Sequence, residues 1–328
     1  MESELKIVVI GGGTGLSILL KGLKTKYSNI TAIVTVADDG GGSGVLREDL
    51  GMLPPGDIRS CILALANTEP VMEKLLKYRF EEGRLKGQSF GNLFIAAMNG
   101  ISQNFEYAIE KISDILAVTG KVLPVSNEDV NLVAHLENGV IINGESNIPD
   151  QVIKENSRIK RIEYNKKNVR SVQSVPKAIM EADIILVGPG SLYTSIMPCL
   201  IIDDVKNALL KTKSKIVYVT NLMTQHGETD DYNIKDHVEA SIKHIGENIY
   251  DYVIVNSGEI NENDRKRYHK ENSEFLIVTD EDREYFNKNN IAIIEDNLLE
   301  VVKGYVRHDS VKVANMINDF IEIKIFNK

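Results

Sequence analysis

The sequence contains no tryptophan, and aromatic residues make up only 6% of it. Recognition of single-stranded nucleic acid by base stacking needs several exposed rings, so that mode is disfavoured. Positive charge is also scarce: 38 Lys and Arg stand against 47 Asp and Glu, a formal charge of −9. Backbone phosphates are held by clustered lysine and arginine, so nucleic acid is not an expected partner and only local basic pockets remain open. Two cysteines, Cys61 and Cys199, cannot build a disulfide framework. No run of 18 apolar residues and no charged-then-apolar leader is visible, so no membrane span is expected and the cytoplasm is the expected location. The G-x-S-x-G elbow, the Cys-x-x-Cys pair, the P-loop and any Ser-His-Asp spacing are missing as well, which disfavours acyl hydrolysis and P-loop phosphoryl transfer.

What is present is enough apolar material for a core: 328 residues, 43% of them hydrophobic, sufficient for one α/β domain over 1–328, with an insertion. The organising stretch runs from Leu5 to Gly44. Lys6 to Ile10 is a short β-branched run suited to a strand buried on both faces of a parallel sheet. It stops at Gly11-Gly12-Gly13-Thr14-Gly15. Glycines there let backbone N–H groups approach a phosphate, and a helix beginning near Leu16 would turn its positive end toward the anion. The fingerprint G-x-G-x-x-G is only partly matched, because Leu16 stands where the third glycine belongs, so a tight connection without a ligand stays open. A second apolar run, Thr31 to Val36, ends at Asp38-Asp39-Gly40-Gly41-Gly42-Ser43-Gly44. An acid at that place in a dinucleotide-binding unit hydrogen-bonds a ribose hydroxyl. Four glycines in five residues carry an entropic cost that a ligand role would explain.

Further along, Pro54-Pro55-Gly56-Asp57-Ile58-Arg59 precedes an apolar helical pattern. Asp57 reads as an N-cap or as a ligand residue. Arg59, in a first helical turn, opposes the helix dipole, which suggests an anion nearby. Gly87 to Asn92 is a third polar, glycine-containing lead into an apolar helix, and helices are expected over 70–80 and 105–118. Short strand-like runs at Val122–Val125, Asn131–Leu136 and Val140–Ile142 suggest an antiparallel insertion over about 121–170. His135 alternates with apolar neighbours and is expected to face solvent. The parallel rhythm then resumes with Asp183–Val187 and a glycine turn, Gly188-Pro189-Gly190-Ser191, running on to Ser195. After the strand Lys215–Thr220 come Asn221 to Thr224, then His226, Glu228, Asp230 and Asp231, whose spacing fits no metal rule and reads as solvated loop charge. Open parallel sheets bind ligands beyond the carboxyl ends of their strands. The loops at 11–15, 38–44, 188–195 and 221–224 are therefore expected to build one pocket. Its donors (backbone N–H, Arg59, Ser43, Ser191, Thr194) suit phosphates. Its acids, Asp38 and Asp39, suit ribose hydroxyls or Mg²⁺, and as loop acids they have little core to support.

Taken together, Gly11–Gly15, Ala37–Gly44, Pro55–Arg59, Phe90–Leu93 (with Asn92), Gly188–Ser195 and Asn221–Thr224 resemble the gluconeogenesis factor (YvcK-like) family, related to the 2-phospho-L-lactate transferases (CofD) of deazaflavin cofactor synthesis. The motifs span nearly the whole chain in order. The resemblance implies a cytoplasmic protein with a Rossmann-like, doubly wound, mostly parallel sheet. It would bind a UDP-sugar such as UDP-N-acetylglucosamine and be needed for cell shape and for growth on gluconeogenic carbon. NAD would be a surrogate ligand, and a protein partner and a homo-oligomer are implied. Carried over, Gly11 to Gly15 and Gly188 to Ser191 hold the diphosphate, Asn221 lines the pocket, and Asp38 and Asp39 match the acids that bind Mg²⁺ in the transferase branch. Tyr305 to Asp309 matches the nucleotide-sugar branch, making Arg307 and Tyr268 ligand candidates. Phosphorylation of Ser310 would place charge beside Arg307. Gly42, where many relatives carry serine, weakens the match to transferase chemistry. Two functions follow: a UDP-sugar-binding regulator, or a Mg²⁺-dependent transferase acting across a diphosphate, for which no unambiguous general base stands out.

Overall fold

The computed structural model describes residues 5–302 and 305–321, so 1–4, 303–304 and 322–328 of the expected domain lie outside the described residues. In chain order the strands are β1 (Ile7–Gly11), β2 (Ile30–Val34), β3 (Lys121–Pro124), β4 (Leu132–Leu136), β5 (Ile141–Asn143), β6 (Ile159–Tyr164), β7 (Ile184–Val187), β8 (Lys215–Val219), β9 (Tyr252–Asn256), β10 (Ala292–Asp296), β11 (Leu299–Val302) and β12 (Tyr305–His308). Seven of them make one sheet in the order β10-β9-β8-β7-β1-β2-β3, and every neighbouring pair in it is parallel. β1 and β7 are buried along their whole length, which is why their sequences are continuous apolar runs rather than alternating ones. The chain steps outward from β1 to β3, then crosses over and steps outward again from β7 to β10. Strand order thus reverses between β1 and β7, where an open α/β sheet leaves its crevice.

The helices that matter for the site are α1 (Gly13–Leu23), α2 (Gly41–Leu50), α3 (Gly56–Leu65), α4 (Pro70–Lys77) and α5 (Phe90–Gly100). α1 packs against α3 and the Ser310–Phe320 helix. None of the helices among the described residues is long and apolar enough to cross a membrane.

Three expectations change, and one element is added. The antiparallel insertion is smaller than 121–170: its sheet is β5-β4-β6, while Lys121–Pro124 is the edge strand of the large sheet, in register with β2 from Thr31↔Lys121 to Val34↔Pro124. Its Val122-Leu123-Pro124 face is buried without alternation, the pattern of a parallel strand. The first helix starts at Gly13 rather than near Leu16. The second glycine turn is largely helical, since Gly41 to Gly44 form the first turn of α2, closed by Gly44 N–H donating to Gly40 O at 2.9 Å. Finally, Tyr305–His308 pairs with β11 in an antiparallel hairpin. His308 hydrogen-bonds the Thr220 backbone and so ties the hairpin to the carboxyl end of β8.

Candidate functional site

At the end of β1 the chain turns through Gly11, Gly12 and Gly13 directly into α1. The helix has no side-chain cap of its own, because Gly12 stands at its N-cap. Its first residue instead meets a carboxylate from another helix: Asp57, in the first turn of α3, hydrogen-bonds the Gly13 backbone. Asp57 is therefore not the N-cap of α3, a place Pro55 holds. Burial and the neighbouring charge of Asp38 push its carboxyl up to about 6. The contact is tight, since a Cβ on Gly12 would stand 2.5 Å from Asp57 Oδ2. On the other side, a Cβ on Gly15 would stand 2.8 Å from Pro189 O. Here the need for glycine is one of space, because α1 approaches the loop after β7 backbone to backbone.

That second loop is held from β8. Asn221 Oδ1 accepts from Gly190 N–H at 3.0 Å and its Nδ2 donates to Gly190 O at 2.8 Å, a reciprocal amide clasp that fixes the backbone of 188–191. Ser191 Oγ donates to Gln225 Oε1 at 2.7 Å. Beneath the loop, Glu228 accepts from Tyr193 N–H at 3.2 Å, from Thr194 Oγ1 at 3.0 Å and from Gln225 Nε2 at 2.7 Å. Glu228 is 3% exposed, and burial pushes its carboxyl up to about 7 against the pull of those donors. Reading Glu228 as solvated loop charge is thus corrected: it is a buried acceptor that organises the turn over Leu192–Ile196. Nothing in its sequence surroundings separates it from Asp230, which pairs with His226 at 2.7 Å, or from exposed Asp231.

The loop 188–191 therefore touches both the turn at 11–15 and Asn221. The segment after β2 joins them through Asp57. Asp38 Oδ1 accepts from Gly40 N–H at 3.0 Å, and Asp38, Gly40, Ser43, Asp57, Arg59 and Asn92 share one cavity. Asp39 points elsewhere. Its two oxygens accept from Glu145 N–H at 3.0 Å and Ser146 N–H at 2.8 Å, so it clamps a turn of the insertion and does have structure to support. Sequence reasoning missed Glu145. That half-buried side chain is pushed up to about 8, by burial first and then by Asp38, Glu228, Asp39 and Asp57. Among the described residues no group of three or more His, Cys, Asp or Glu side chains is arranged to hold a metal ion. With Asp39 committed to backbone, the carboxylates that line the shared cavity are Asp38 and Asp57.

Tyr268 and Arg307 lie together at the hairpin. Tyr268 is buried with Leu222, Ile260 and Val306 in a small separate apolar cluster, and its hydroxyl accepts from Val306 N–H at 2.8 Å. Arg307 is exposed and lies 5.4 Å from the centre of the Tyr305 ring, which Arg267 also approaches at 5.5 Å. Thr14 is exposed at the mouth of the first turn. His135, expected to face solvent, is largely covered and pairs with Glu163 at 2.8 Å.

A family model described as 2-phospho-L-lactate transferase CofD matches residues 7–299. A protein of Thermoanaerobacterium thermosulfurigenes is 56% identical over 317 residues, covering 97% of each chain. The gluconeogenesis factor of Bacillus subtilis (strain 168) is 42% identical over 323 residues, 98% of this chain and 100% of that one. A crystal structure of a member of the UPF0052 family from Bacillus halodurans is similar with a TM-score of 0.90 at 42% identity, covering 95% of this chain and 99% of that one.

Proposed function

We propose that this chain, which belongs to the 2-phospho-L-lactate transferase CofD family, is a nucleotide-sugar-binding regulator. Its ligand is a UDP-sugar of the UDP-N-acetylglucosamine kind, held by the diphosphate between the amino end of α1 and the loop Gly188–Ser191. The observation that carries this reading is the contact of these two backbone segments at the β1/β7 reversal, clasped by Asn221. A helix amino end with glycines on both sides of the crevice offers N–H donors and a positive dipole to a diphosphate. Asn221 acts on the ligand through Gly190, and Thr194 through Glu228. Tyr268 shapes the hairpin that presents Arg307 to a phosphate or uracil oxygen. A ligand-dependent regulator acts through a protein partner in the cytoplasm, and the names of its relatives attach that action to growth on gluconeogenic carbon and, in our reading, to cell shape.

Calorimetry with UDP-N-acetylglucosamine tests this. Arg307→Ala is expected to lose about tenfold or more in affinity, as removal of a charge-assisted hydrogen bond worth roughly 1.5–3 kcal/mol would. An unchanged affinity removes the contact, and no binding of the nucleotide sugar by the unaltered chain removes the reading. The carboxyl of Asp57, poised at about 6 beside Asp38, favours a second reading: Mg²⁺-dependent transfer across the diphosphate. Turnover of the nucleotide sugar on adding Mg²⁺ and an acceptor hydroxyl would select it.

A further inference from the structure

The cavity on the β2 side of Asp57 has a volume of about 290 Å³ and is lined by Asp38, Gly40 to Ser43, Gly56 to Ser60 without Ile58, Arg79 and Asn92. Its size is at the low end for ligand sites and below what a whole nucleotide sugar needs. Two arginines reach it from different elements. Arg59 rises from the first turn of α3 and donates to Ser89 Oγ, while Arg79, just after α4, donates to Gly87 O. They lie close enough that Arg79, after burial, lowers the pKa of Arg59. Asp57 and Asp38 partly offset that repulsion at Arg59, and an anion bound between the two guanidinium groups would offset it further. The packing favours this arrangement, because a Cβ on Gly91 would stand 2.7 Å from Arg59 Cδ, so the bare first turn of α5 makes room for the arginine stem.

Two further observations point to an occupant. α2 begins at this cavity with Gly40 at its N-cap and no side-chain cap, so the amides of its first turn have no side-chain acceptor. Asn92 is 3% exposed and Gln88 8% exposed, yet Asn92 Oδ1 and Gln88 Oε1 have no hydrogen-bond partner. Asn92 lines the cavity, and Gln88 Oε1 lies 3.0 Å from where a Cβ on Gly42 would be. Buried amide oxygens without donors are costly and rare. A ligand hydroxyl in the cavity would supply the donor that Asn92 Oδ1 lacks, and a phosphate supplies enough oxygens for two guanidinium groups and the α2 amides, which a carboxylate with two oxygens does not.

We propose that this cavity is a second ligand site, for a small hydroxylated phosphate monoester, separate from the nucleotide diphosphate on the far side of Asp57. In its wall Asp38 Oδ1 accepts from Gly40 N–H and Asp57 bonds the Gly13 backbone, and both carboxyls act on Arg59. The ester would bind through Arg79, the α2 amides and Asn92.

The test is calorimetry on the full chain with glycerol 3-phosphate, inorganic phosphate and glycerol, with and without saturating UDP-N-acetylglucosamine. Expected are one glycerol 3-phosphate per chain, weaker binding of inorganic phosphate, none of glycerol, and no displacement by the nucleotide sugar. Arg79→Gln should weaken glycerol 3-phosphate about tenfold or more, Arg79→Lys should recover part of the loss, and both should bind the nucleotide sugar as the unaltered chain does. The proposal is overturned if glycerol 3-phosphate does not bind, if inorganic phosphate binds as tightly, if the nucleotide sugar displaces the ester, or if Arg79→Gln leaves ester affinity unchanged. Arg79-dependent binding of the ester by a chain that ignores the nucleotide sugar would uphold this site while removing the function proposed above.

Discussion

Replacing Glu228 by Gln isolates the energetic role of one buried charge. The Glu228 carboxyl is moved by burial from 4.5 to about 7, so between those values the folded protein holds a proton that the unfolded chain releases. Stability must then fall as pH rises through this window and level off above it, the reverse of the usual salt-bridged carboxylate. About 2.5 pH units at 1.36 kcal/mol each correspond to about 3 kcal/mol, an order-of-magnitude figure. Glu228→Gln keeps the shape and, through its one carbonyl oxygen, an acceptor for Thr194 Oγ1 and Gln225 Nε2, but it gives up the acceptor of Tyr193 N–H at every pH and cannot ionise. Urea unfolding at pH 5 and pH 8 should therefore show the unaltered protein losing about 2.5 kcal/mol more than the variant, the part of that window lying above pH 5. Asp57 titrates in both proteins and cancels, and both are compared in a Glu145→Gln background because the Glu228 charge itself helps push Glu145 up. A difference below about 1 kcal/mol would show that water or a cationic group reaches the Glu228 carboxylate in the folded state, and the reasoning from burial would fail.

Asp39→Ala removes the acceptor of two insertion amides and is expected to cost about 1–3 kcal/mol, with faster hydrogen exchange at Glu145 and Ser146. Exchange unchanged at both positions would refute the clamp. In Mg²⁺-free buffer, nucleotide-sugar affinity should fall as pH rises through about 6, because ionised Asp57 repels a diphosphate beside Gly13. Asp57→Asn should abolish that step, and a step of the same size in the variant would assign it to another group.

The large sheet was legible because strands buried on both faces, such as Ile184–Val187, are unbroken apolar runs bounded by turn residues. The glycine-bearing segments 11–15 and 188–191 and the segment Asn221–Thr224 could be assigned to one edge because every parallel strand ends on the same side. Lys121–Pro124 was hidden by its place in the chain, next to true antiparallel strands, and only its partner β2 identifies it. Tyr305–His308 was hidden by its polarity, since only Val306 of that strand is buried. Glu228 and Glu145 were hidden for a different reason. Their perturbation comes from burial and from acids distant in sequence, and local composition carries no trace of either.

Glu145 shows how the insertion bears on the site. Asp39 pins the turn in which it sits, and that turn brings its carboxyl within the influence of Asp38, Glu228 and Asp57. With a carboxyl pushed up to about 8, Glu145 is mostly protonated at pH 7, so the group of acids carries less negative charge than its formula. A cation entering beside Asp38 favours the ionised form, and the proton must leave as the cation binds. Calorimetric titration with Mg²⁺ at pH 7 should therefore give a heat that varies with the ionisation enthalpy of the buffer, corresponding to release of about half a proton or more. The dependence should shrink at pH 9, where Glu145 is already ionised, and should be smaller for Glu145→Gln at pH 7. Heat independent of buffer at pH 7, or no heat at all, would mean that the insertion contributes a carboxyl that no cation in this crevice reaches.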